Sequence, residues 1–178
     1  MSTRIAFLRA INLGAKRKFP KDAIVAATEA AGFTGVATHI NTGNVRFETT
    51  MRSRARIEAA LEAAYLADRG FEVRVISYTA QEVAQIAETV AELDAGRPDL
   101  SRHYVNLLGE DLDEETAARV EALSGNGHEA VVRGRAVHLL LGPDYQPGQV
   151  DPLRVEKCLT LTTNRNATVV RAVAEKWC

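Results

Sequence analysis

Three cations stand side by side in "FLRAINLGAKRKFPKDAI", residues 7–24, where Lys16, Arg17 and Lys18 follow Arg9, Asn12 and Gly14 and precede Pro20. A loop of this composition running into a helix start combines outward-pointing amides with positive charge, which suits a bound anion and phosphate best. Basic residues at a helix N-terminus oppose the helix dipole. A sequence shaped only for stability would avoid them, so their presence here points toward a ligand. Neither G-x-x-x-x-G-K-[ST] nor G-x-G-x-x-G occurs in the chain, and the loop therefore matches neither nucleotide-binding fingerprint.

Arg9 lies near the end of the apolar run "RIAFLRAI", residues 4–11. Ile5, Phe7, Arg9 and Ile11 should alternate onto one face of a strand there, with Ala6, Leu8 and Ala10 on the other. A guanidinium among apolar neighbours needs a carboxylate, water or an anion. Two readings stay open, an ion pair with Glu48 or a fork that grips an anionic ligand. The stretch "TTNRNATVV", residues 162–170, also has two readings. Its Thr and Asn residues can cap an amphipathic helix, or Arg165 can supply charge to a second anion-facing helix start. Arg52, Arg54 and Arg56 would extend a basic surface.

Other chemistry finds less support. His39 and His103 are isolated on expected strands. A hairpin at Gly134 puts His128 and His138 on opposite faces, so no clustered metal ligands emerge. Cys158 has no C-x-x-C partner, and Glu114-Glu115 sits at a helix start where the dipole accounts for it. No Ser/His/Asp grouping is legible. We expect no metal and no cofactor.

The elements that must position these residues follow from periodicity. "RIAFLRAI" is a strand, Pro20 opens a helix that stops at Gly32, and "GVATHI" and "NVRFE" flank a turn at Asn41-Thr42-Gly43. "RARIEAALEAAYLADRG" is a helix ended by Gly70, and "FEVRVISY" is a fourth strand. The resulting β-α-β-β-α-β order is the split βαβ, ferredoxin-like arrangement. Thr79 and Glu82 form a capping box ahead of a further helix, and "DAGRPDLS" breaks it. The strand "RHYVNLL", the helix "DEETAARVEAL", the hairpin "HEAVVR"/"AVHLLL", a short helix near "DPLRVEKCL" and a terminal helix in "NATVVRAVAEKW" complete a second β-α-β-β-α series. The expected fold is α+β, two ferredoxin-like halves with mixed or antiparallel sheets. Residues 1–78 form the first half, 79–100 a connecting helix and linker, and 101–178 the second half with its C-terminal helix.

Bulk properties agree. Of 178 residues, 46% are hydrophobic and 25% charged, ordinary for a globular protein with a sizeable core. The net charge of −1 conceals an asymmetry, +5 over residues 1–78 and −6 over the remainder. Aromatic residues are only 6%, few for the stacking platforms that single-stranded nucleic acids use. No apolar run reaches the roughly 20 residues needed to span a bilayer. With two cysteines and no leader-like start, we expect a reduced, cytoplasmic protein with no membrane partner.

The opening "IAFLRAINLGAKRKFPKDAIVAATEAAGFTGVATHINTGNVRF" resembles the signature of the domain-of-unknown-function 1697 family, "LLRGINVGG…K…M..L…..LGF..V.TYI.SGNV.F", and "TTNRNATVV" is similar to that family's closing "TTRNWNTV". By this resemblance Arg9, Asn12, Gly14, Gly43 and Asn44 stand at motif positions, and Ala10 and Ala15 depart from them. The resemblance implies a cytoplasmic bacterial α+β protein of two ferredoxin-like halves and no established activity. Three functional readings remain. The loop 12–18 with Arg9 binds a phosphate-bearing small molecule or nucleic acid. Alternatively Arg9, Asn12, Asn44 and Arg165 serve an enzyme acting on a small anionic substrate. In the third, the charge asymmetry supports self-association, as in a homodimer.

Overall fold

The computed structural model describes residues 1–178. Its first four strands and two helices come in the expected order: β1 (Ser2–Leu8), α1 (Lys21–Ala30), β2 (Thr34–His39), β3 (Asn44–Thr49), α2 (Arg54–Arg69) and β4 (Val75–Thr79). Then follow α3 (Ala80–Ala95), β5 (Arg102–Leu108), α4 (Glu114–Glu121), β6 (His128–Arg133), β7 (Ala136–Leu141), a 3-10 turn at Val155–Cys158, β8 (Thr162–Asn166) and α5 (Ala167–Trp177). The chain divides into two compact units, Met1–Val83 with Lys176–Cys178, and Ala84–Glu175.

Each unit carries one four-stranded antiparallel sheet, in the orders β2-β3-β1-β4 and β6-β7-β5-β8. The first strand lies inside both sheets, which is why β1 is apolar on both faces and buried from Ile5 to Leu8. In the first unit α1 and α2 cover one sheet face. Ile24 and Ala27 of α1 and Ile57, Leu61 and Tyr65 of α2 join Ala6, Leu8, Val45, Phe47 and Val75 in one apolar cluster. The buried Tyr65 hydroxyl is satisfied by Thr28, 2.8 Å away. In the second unit the corresponding cluster holds Leu108, Val137, Leu139 and Leu141, with Val120 from α4 and Val155 from the 3-10 turn.

Local signals set the helix ends. Thr79 N–H donates to Glu82 Oε2 (2.7 Å) and Glu82 N–H donates back to Thr79 Oγ1 (3.1 Å), the capping box expected from the sequence. Asp113 caps α4 by accepting from Thr116 N–H at 2.7 Å, and Gly70 ends α2 with φ 71°.

Three expectations need correction. β4 begins only at Val75, because Phe71 to Arg74 lead into the sheet without joining it as a strand. Ile11 does not continue the Ile5–Phe7 face. Ala10 takes a left-handed φ of 57°, which ends the alternation and turns Ile11 into the cluster of Ala6 and Leu8. Thr162–Asn166 is a strand, where the polar residues showed only the approach to a helix. "TTNRN" lacks an apolar alternation and becomes β8 because it pairs along β5, Thr163 opposite Leu107 and Arg165 opposite Val105.

Candidate anion site

The loop between β1 and α1 is built on Asn12. Its main chain takes φ 55°, a conformation Asn tolerates better than most residues. Its side chain is fully engaged. Asn12 Nδ2 donates to the carbonyls of Asn41 (2.6 Å) and Phe19 (3.2 Å), and Oδ1 accepts from Phe19 N–H (2.8 Å). Asn12 N–H closes the loop onto the Arg17 carbonyl at 2.7 Å. Asn12 thus ties loop 12–19 to the β2–β3 turn, and removing its amide would release both.

That turn is equally constrained. Gly43 has φ 75°, and a Cβ there would lie 2.7 Å from Leu8 Cβ and 2.9 Å from Ile11 Cδ1, so only glycine fits. Asn44 is buried, its Nδ2 donating to the His39 carbonyl (2.9 Å) and Thr42 Oγ1 (3.0 Å).

The three loop cations part company. Arg17 donates from Nε to the Ala10 carbonyl (2.7 Å) and from Nη2 to the Glu72 carbonyl (2.5 Å), with its guanidinium 4.8 Å over the Phe71 ring. It is a strap between two remote segments, and its charge is held in place. Lys16 and Lys18 are exposed. Lys18, Gly14 and Asn12 line an open depression of about 610 Å³ together with Pro20, Lys21, Asp22 and Asn41. The first turn of α1 forms one wall. Its N-cap is Pro20, and no side chain caps the turn, leaving its first amides available. Lys16 and Arg9 stand outside this wall. Arg9 is half-buried beyond the end of β1 and holds its position through its own amide, which donates to the Arg74 carbonyl at 2.9 Å. The ion pair between Arg9 and Glu48 does not form, because Glu48 lies opposite Thr3 at the far end of β1 from Arg9, where it bonds Arg46 at 2.6 Å.

Arg165 belongs to the second unit and is buried in β8. Its Nη1 donates to Thr163 Oγ1 (3.0 Å) and to the Asn164 carbonyl (2.8 Å), and burial draws its pKa down to about 10. The capping reading of "TTNRN" is met by Asn166, whose Oδ1 accepts from Thr168 N–H at 2.9 Å.

The sequence reading missed a buried polar chain in the second unit. His103 Nδ1 lies 2.7 Å from Asp94 Oδ1, and His103 Nε2 lies 2.9 Å from His138 Nδ1. With Asp94 ionised, His103 donates from Nδ1 and accepts at Nε2 from His138 Nδ1–H. His138 Nε2 is then a bare lone pair with no partner. Burial and the neighbouring His103 draw the His138 pKa down to about 3. Burial also lowers His103, against the Asp94 hydrogen bond that raises it. The two histidines come from strands 35 positions apart, and only the β5–β7 register, Val105 opposite His138 and His103 opposite Leu140, brings them together. His128 and His138 do fall on opposite faces, since they pair with Leu141 and Val131 across the β6–β7 hairpin. No group of three or more His, Cys, Asp or Glu side chains is placed to hold a metal ion, and no helix is long and apolar enough to cross a membrane.

Residues 1–138 match a family described as "Protein of unknown function (DUF1697)". The fold is similar to that of the conserved bacterial protein SP0830 from Streptococcus pneumoniae, with a TM-score of 0.77 and 20% sequence identity over 99% of this chain and 98% of that one. No curated protein matches the chain.

Proposed function

We propose, for a chain that belongs to the DUF1697 family and inherits no assigned activity from it, that the depression between loop 12–18 and α1 binds a small phosphate-bearing ligand. One observation carries the reading: Lys18 and Lys21 flank the uncapped first turn of α1 on the wall of a single depression. Two ammonium groups and free helix-start amides complement a phosphate dianion. Asp22 on the same wall opposes them with one carboxylate. Arg17 supports the site by holding the loop in shape.

The ligand is small in this reading, a nucleotide or phosphorylated metabolite in chemical class. Phe7, Phe19, Phe33, Phe47, Tyr65 and Tyr78 of the first unit are buried, Phe71 lies under the Arg17 guanidinium and half-buried Trp177 packs on His39, so no ring lines the depression for stacking on bases. The test is calorimetric titration of the full chain with pyrophosphate and with a nucleoside triphosphate at about 50 mM salt, beside a single-stranded oligonucleotide. Lys18→Ala/Lys21→Ala should weaken binding about 100-fold, at roughly tenfold per charge-assisted bond, without moving the melting temperature. Arg17 is left intact because its loss would disturb the loop itself. The reading fails if neither phosphate compound binds, or if the double variant binds as the wild type does.

A further inference from the structure

The depression of about 610 Å³ beside α1 is larger than one phosphate needs and falls within the range of cavities that hold a whole small molecule. Its Asn41 wall continues directly into a second polar cluster. His39 stands two residues before Asn41, at most about 7 Å of chain away. The segment between them is held at both ends. Asn44 Nδ2 donates to the His39 carbonyl (2.9 Å), and Asn12 Nδ2 donates to the Asn41 carbonyl (2.6 Å). Ile40, caught between these bonds, takes a left-handed φ of 50°. That is an outlier for a β-branched residue, and such strain persists only where neighbours impose it.

The end of α5 meets His39 within the first unit. Lys176 Nζ lies 3.0 Å from His39 Nδ1, and the Trp177 ring stands edge-on to the imidazole at 6.3 Å. An ammonium only donates, so His39 Nδ1 accepts and the imidazole proton sits on Nε2. There it has no partner in the protein. Lys21, on the wall of the depression, is near enough for its charge to act on the same ring. Burial first, then Lys176 and Lys21, hold the His39 pKa below the usual histidine value. Lys18, Lys21 and Lys176 have no ion-pair partner, and Asp22 is the single carboxylate on the wall.

Resting on the phosphate reading above, we propose that Lys176 and His39 Nε2–H form a second anion subsite, so that the ligand carries two linked phosphoryl groups. The first group sits at Lys18, Lys21 and the start of α1. The second reaches past Asn41 to Lys176 and His39, with Lys21 shared between the two. A phosphoryl group suits this subsite better than a carboxylate, because its three oxygens can take two ammonium groups and the imidazole N–H at once.

The test compares orthophosphate with pyrophosphate by calorimetry of the full chain at about 50 mM salt, in the wild type, Lys176→Gln and Lys176→Arg. Glutamine can still donate to His39 Nδ1 but carries no charge. Pyrophosphate should bind the wild type about tenfold more tightly than orthophosphate, the worth of one further charge-assisted bond. Lys176→Gln should erase that preference and leave orthophosphate binding unchanged, while Lys176→Arg keeps it. Trp177, the only tryptophan of the chain, gives a readout that needs no variant. Its emission should shift with pyrophosphate and stay fixed with orthophosphate. If Lys18→Ala/Lys21→Ala weakens pyrophosphate binding while Lys176→Gln leaves it intact, the second subsite falls and the phosphate reading stands. Trp177 emission indifferent to bound pyrophosphate has the same meaning. If neither anion binds, both readings fall together.

Discussion

The first unit backs its sheet with the 16-residue α2, and the second uses a four-residue 3-10 turn in the same place of the strand order. The helix does two jobs with adjacent columns of one surface. Ile57, Leu61 and Tyr65 fill the core, while Glu58 and Glu62, at i,i+4 spacing, reach over to the outward amides of Ser77 and Val75. The turn retains only the first job. Val155 is fully buried, with Leu153 and Leu159 packed against the same cluster, and its neighbour Asp151 spends its carboxylate on Val155 and Glu156 of the same turn. The difference teaches that core filling and edge protection are separable. A segment can shorten without opening the core and still give up the carboxylates that cap a strand edge.

The contrast can be broken most strongly at the core. Leu61→Ala should cost about 2–5 kcal/mol, the usual range for a buried leucine. Val155→Ala should cost about half as much, since fewer methyl groups leave. Urea denaturation of both variants measures the ratio, and equal costs would mean the turn carries as much of its core as the helix does.

A smaller effect should follow at the edge. Glu58→Ala removes the carboxylate that accepts from both Ser77 N–H and Ser77 Oγ, at about 1–3 kcal/mol for the lost bonds to a charged acceptor. Glu62→Ala should cost less, because beside Val75 N–H it accepts from the exposed Arg74 Nε, which water can serve in its place. Combining the two leaves Glu82 as the last carboxylate on the outward amides of β4. Light scattering should then show larger species than the wild type gives, and an unchanged assembly size would break the link between carboxylates and edge protection.

The smallest effect at ordinary pH separates the units by titration. His103 and His138 are held neutral, with His138 lowered to about 3. In the unfolded chain both bind protons near pH 6.5. Below that pH the unfolded state therefore binds more protons than the folded state, and stability falls as pH falls, continuing toward about 3 for His138. The slope is at most about 1.4 kcal/mol per pH unit for each fully titrating histidine. Denaturation at pH 7.5 and 5.5, with hydrogen exchange to localise the loss, should show the second unit opening first. A first unit that opens earlier would assign acid sensitivity elsewhere.

Much of the architecture was legible along the chain. Apolar periodicity, the Thr79–Glu82 capping box, and Gly43 and Gly70 at their turns are signals within a few residues, and each appears where it was expected. β8 was not legible, because a polar pentapeptide becomes a strand only when a neighbour offers it a ladder. The loop composition drew attention to residues 12–18 but treated Lys16, Arg17 and Lys18 as equals. Arg17 is committed to carbonyls 7 and 55 positions away, which leaves the lysines to face outward.

Element order, turn positions and helix ends are therefore properties of the amino-acid order alone, since a backbone's local preferences act over one turn of helix or one step of pleat. Which cation stays free, which histidines meet and which carboxylates cap a strand edge depend on partners far away in the chain. Burial makes those partnerships binding, because a polar group removed from water takes whatever acceptor the fold places beside it.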